Sequence, residues 1–97
     1  MPFVATLQRD GYPIIAYQTD TDGRPILDSV LLVAIPPTNK SPMSKVSVQG
    51  NFELLRTELL TRERYDPKKA NMDVNEANRL RRHLRDQYHI NGLEGEL

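Results

Sequence analysis

NFELLRTELLTRERY, residues 51–65, reads as the first arm of a helical hairpin. Asn51 is an N-cap residue type following Gly50, and Phe52, Leu55 and Leu59 recur at intervals that put them on one helical face. Leu54 and Leu60 widen that surface, and the helix is expected to end near Tyr65. Asp66 followed by Pro67 suits a single short helical turn, with Pro at a first helical position. Asp73 and Glu76 then stand three apart before a second apolar stripe, a capping-box arrangement with Asp in the Ser/Thr role. The second arm is expected over 74–91, with Ala77, Leu80, Leu84 and Tyr88 on its core stripe, Val74 at the margin and Gly92 closing it. LEGEL, residues 93–97, is left as an acidic tail expected to fray.

Upstream, short β-branched and aromatic runs alternate with turn residues. FVATLQ (3–8) has Phe3, Ala5 and Leu7 at period two, and Asp10-Gly11 suits a two-residue hairpin turn into YPIIAYQT (12–19). DTDG (20–23) is a second turn leading into RPILDSVLLVAIPP (24–37), where Asp28 and Ser29 interrupt the apolar run and imply a bulge or a late strand start. Residues 36–45 hold three prolines among small polar residues and read as an exposed loop. KVSVQ (45–49) can add a fourth, edge strand with Val46 and Val48 facing in. The expected fold is α+β, one domain over 1–97: a small antiparallel β-meander of three to four strands in the N-terminal half, packed against a C-terminal helical hairpin. Phe3, Leu7, Ile15, Val30, Leu32, Leu55, Leu59, Leu80 and Leu84 are its expected core.

The chain has 97 residues, 38% hydrophobic and 27% charged, and its 13 basic residues balance 13 acidic ones. That describes a globular domain too small for a two-domain enzyme with an enclosed cleft. The absence of Cys removes disulfides, thiol catalysis and thiolate metal sites. The N-terminus lacks a basic region followed by a long apolar one, and the longest apolar run, VLLVAI (30–35), is far short of a bilayer span. A cytoplasmic location without membrane contact is expected.

The candidate site lies on the last helix. At 100° per residue Arg81, Arg82, Arg85 and His89 share one flank, with Glu76 and Asp86 on the other side. Such arginines can lie over the core edge and pair with Glu53, Glu58 or Glu63, or they can meet a partner. ANMDVNEANRLRRHLR (70–85) resembles the turn and recognition helix of helix-turn-helix regulators, which implies reading of duplex DNA. KVSVQ followed by two helices resembles ribbon-helix-helix proteins, which implies a DNA-binding dimer. Zero net charge, however, withholds the background phosphate attraction on which such binding draws, and so favours a protein partner. Thr38, Asn39 and Lys40, in the proline-stiffened loop, are further contact candidates.

Other chemistries are weaker. His83 and His89 lie about 120° apart on the wheel, too far to close on one ion with Asp86. DTDG has the look of a calcium loop, but Ser29 stands where the bidentate Glu belongs. Neither Ser29, Ser41, Ser44 and Ser47 nor the carboxylates Asp20, Asp22 and Asp28 form a recognisable catalytic set. The expectation is a non-enzymatic binding protein without cofactor, an adaptor, inhibitor or assembly component of the sort a phage or bacterium carries. A DNA-binding regulator is the alternative, and self-association is left open.

Overall fold

The computed structural model describes residues 13–34 and 51–97. Strand β1 (Ile14–Thr19) and strand β2 (Pro25–Ala34) form an antiparallel hairpin. Its turn is made by Asp20, whose carboxylate accepts the N–H groups of Asp22 and Arg24 at 2.8 and 2.9 Å, and by Gly23 at φ 83°. DTDG is thus turn chemistry, a side chain standing in for a backbone acceptor. Those hydrogen bonds, that from Arg24 foremost, hold the Asp20 carboxyl below its usual pKa. The register slips between Ala16 and Gln18, opposite the expected interruption at Asp28-Ser29. There Ser29 Oγ accepts the Gln18 N–H at 2.8 Å and donates to Ile26 O at 2.7 Å, occupying groups the bulge removes from the ladder.

The segment expected to be the first helical arm begins as a strand. β3 (Glu53–Arg56) pairs antiparallel with β1, Ile15 opposite Leu55, giving the sheet order β2-β1-β3. A 3₁₀ turn (Thr57–Leu60) follows, and the backbone is extended again at Thr61. The helical hairpin is therefore corrected to a strand and turn before one long helix. Leu55 and Leu59 still point inward, because a four-residue strand joined to a 3₁₀ turn reproduces the inward spacing of a helix. β3 also occupies the edge of β1, along Ile14 to Tyr17, that the expected hairpin reserved for residues 3–8. Phe3, Leu7, the Asp10-Gly11 turn, the loop 36–45 and the strand 45–49 lie outside the described residues.

Helix α1 (Pro67–Ala70) is a single turn, capped by Asp66, which accepts the Lys68 N–H at 2.9 Å. Asn71, in the left-handed region at φ 55°, ends it. Helix α2 (Val74–Tyr88) starts as expected, with the Asp73 carboxylate accepting the Glu76 N–H at 2.9 Å. It ends earlier than expected, at His89 with φ 56°, and Gly92 at φ 90° belongs to the turn beyond.

Ala77, Leu80 and Leu84 are fully buried against Ile15, Tyr17, Val30 and Leu55, with Leu32 and Tyr88 half-buried beside them. Each such leucine contributes about 1.5–3 kcal/mol by leaving water. Tyr88 Oη donates to Val30 O at 2.5 Å, fastening the end of the helix to the middle of β2. Ile14 and Ala16, on the other face of the central strand, are also fully buried. The tail does not fray: Ile90 and Leu93 are buried in the core and Leu97 packs against it.

Candidate functional site

The basic flank of α2 divides in two. Arg81 is 1% exposed, because one position after Leu80 it sits at the margin of the apolar stripe, where the returning tail covers it. Its Nη1 donates to Leu60 O, and its Nη2 to Glu94 O and Gly95 O, both at 3.0 Å. Burial, then the neighbouring Arg62 and Arg85 cations, push its pKa down, and Glu96 and Glu94 oppose them. Arg81 therefore leaves the exposed set of candidate contacts and ties the 3₁₀ turn, α2 and the tail together.

Arg82, Arg85 and His89 remain at the surface, with Arg85 half-buried. Arg82 Nη1 lies 3.5 Å from Glu96 Oε1, and Arg85 Nε lies 3.5 Å from Asp86 Oδ1. Arg79 pairs with Glu76 at 3.2 Å. The expected acidic partners Glu53, Glu58 and Glu63 are not the ones used by these arginines; Glu58 pairs instead with Arg56. Thr38, Asn39 and Lys40 lie outside the described residues.

The tail brings in residues that the helical wheel does not mark. Arg62 Nε donates to Glu96 O at 3.1 Å, and the Leu97 N–H donates to Asn78 Oδ1 at 2.8 Å. Gly95 holds φ 75°, and a Cβ there would stand 2.4 Å from Arg62 Nη2, so a glycine lets the guanidinium lie against the backbone. The available signal was Leu93 and Leu97, two apolar residues in a segment otherwise acidic.

A second feature lies at the opposite end of α2. A cleft of about 620 Å³ opens between the Asp22–Arg24 turn and the residues Asn71, Met72 and Asp73, and a smaller one of about 350 Å³ adjoins it across Arg24. Glu76 forms its floor, 3.5 Å from Arg24 Nε and 3.2 Å from Arg79 Nη1. With its carboxylate engaged by two guanidinium groups, Glu76 is poorly placed to act as a free base.

His83 is half-buried, edge-on to Tyr88 with ring centroids 6.0 Å apart. Burial lowers its pKa, partly offset by Asp28 and Asp86. Among the described residues no group of three or more His, Cys, Asp or Glu could hold a metal ion, and no helix is long and apolar enough to cross a membrane. α1, a single turn, is too short for the supporting helix of a helix-turn-helix unit, and β3 leads into a 3₁₀ turn where a ribbon-helix-helix protein has its first helix. The chain matches no family model, no curated protein and no solved structure in comparisons with known proteins.

Proposed function

We propose that this chain is a small, non-enzymatic protein-binding module of the cytoplasm, an adaptor, inhibitor or assembly component, that docks through the exposed flank of α2 at Arg82, Arg85 and His89. The observation that carries the reading is the pairing of the flank. Arg82 faces Glu96, Arg85 faces Asp86 and Arg81 is spent on backbone carbonyls, so the surface alternates in sign where a phosphate reader would offer bare cations. Alternating charge supplies register and partner choice on a protein surface, while the neutral chain withholds long-range attraction for nucleic acid. Thr38, Asn39 and Lys40 are a second proposed contact.

The test compares two partner classes on the full-length protein. Arg82→Glu and Arg85→Glu are expected to abolish one specific protein complex captured by in-cell crosslinking, with duplex DNA binding negligible at physiological salt. Duplex binding that weakens by orders of magnitude between about 50 and 200 mM salt, and loses part of that slope in Arg82→Ala, would replace this function with DNA binding.

A further inference from the structure

We propose that the segment 93–97 is exchangeable between molecules: the groove it fills accepts the same segment from a second copy of the chain, giving a reciprocal dimer. The segment is bound as a ligand is. Leu93 enters the core at one end and Leu97 packs on it at the other, while the polar backbone between them is read by side chains of the groove. Arg81 takes the carbonyls of Glu94 and Gly95, Arg62 that of Glu96, and Asn78 the N–H of Leu97. Arg82 takes the Glu96 carboxylate. Each of these contacts is indifferent to whether the segment arrives from the same molecule or from another.

The connection is built for opening. Asn91 and Gly92 are exposed, and the chain reverses there with Gly92 at φ 90°, after His89 at φ 56°. Straightening at Gly92 frees residues 93–97 while Ile90 keeps its place in the core. An opened molecule is left with Arg62, Arg81 and Arg82 clustered and without the carbonyls of residues 94–96 and the Glu96 carboxylate that face them, Arg81 keeping only Leu60 O of its three acceptors. Such a groove demands refilling, because its neighbouring cations repel one another and the apolar seat that Leu93 vacates is opened to water. Two opened copies meet that demand reciprocally through one two-fold interface, made of contacts the single chain already uses. The charge is self-complementary, since each copy brings the acidic segment that the other's arginines lack.

The chain has no cysteine, so introduced thiols report cleanly. One chain carries only Asn78→Cys and a second, of distinguishable mass, only Leu97→Cys, placed where Leu97 N and Asn78 Oδ1 are 2.8 Å apart. The mixture is unfolded, refolded and oxidised over a range of concentrations. The short connection holds the segment at an effective concentration in the millimolar range, so exchange is expected to emerge as the protein approaches about 1 mM. The expected product is the mixed 78–97 disulfide in large excess over the 78–78 and 97–97 species. In chains that also carry Gly92→Val, which disfavours the reversed turn and leaves the residues of groove and segment unsubstituted, it is expected at lower concentration. Statistical proportions of the three disulfides, or no crosslink up to about 1 mM in the unmodified hinge, would overturn the proposal. A Gly92→Val chain that failed to fold would leave the unmodified hinge to decide it.

Discussion

Replacing Arg81 by Met tests whether a buried guanidinium fastens this fold or merely burdens it. Met keeps most of the volume and removes every donor. Three carbonyl oxygens lose their partner: Leu60 O, Glu94 O and Gly95 O. Glu94 and Gly95 are exposed and can turn to water, whereas Leu60 is fully buried, so one acceptor stays orphaned at a cost of about 1–3 kcal/mol. Once the tail turns outward Leu93 leaves the core, which removes a further 1.5–3 kcal/mol or so. Against this stands relief of guanidinium desolvation and of repulsion from Arg62 and Arg85. The expected outcome is a net loss, smaller than the roughly 2.5–6 kcal/mol to which those two costs add and still a large part of the stability of a domain this size. Urea unfolding followed by far-UV circular dichroism measures it. The midpoint should fall, and the slope should fall slightly as well, because a native state with its tail released exposes less new surface on unfolding. An unchanged or raised midpoint in Arg81→Met would refute the fastening role and mark the buried charge as a net cost to the fold.

Three other outcomes are expected. Leu84→Ala, at a fully buried position on α2, should cost about 2–5 kcal/mol in the same urea assay, and no change would break the packing of α2 on the sheet. Asp73→Ala removes the acceptor of the Glu76 N–H and should cost about 1 kcal/mol, most of it recovered in Asp73→Ser. His83 is held neutral by burial, with a folded pKa below the 6.5 of the free ring, so the unfolded chain takes up its proton first. Stability present above pH 6.5 is therefore lost as the pH falls from that value through the lowered folded one, and His83→Gln should flatten this part of the urea-midpoint profile. A proton titration of the His83 ring by NMR with a midpoint at or above 6.5 would contradict it.

What could be read from the chain and what could not separate along physical lines. β1, β2 and α2 are specified locally: β-branched runs flank an Asp-Gly turn, and α2 carries both a cap and a long apolar stripe. Residues 51–60 were not legible, because Phe52, Leu55 and Leu59 fit a helix as well as they fit a strand followed by a 3₁₀ turn. What decides between them is an open edge of β1, a partner almost forty residues away in the chain. Arg82, Arg85 and His89 were legible as an exposed flank from the wheel alone. Arg81 lies at one end of that flank in angle, between Tyr88 and Val74 at the margin of the apolar stripe, and its full burial was not legible, since it depends on a tail that returns across α2. Nothing within one helical turn of Arg81 signals that return.

The order in which the chain is made gives that contact a further meaning. A polypeptide emerges from its N-terminus at about 5–20 residues per second, so α2 exists before the carbonyls of residues 94 and 95 that satisfy its central arginine. Until they arrive, Arg81 has one of its three acceptors, Leu60 O, and with no tail over it keeps its remaining donors in water. Residues 93–97 are therefore what turns that guanidinium from a solvated group into a buried one, and the core closes over it only once they are made.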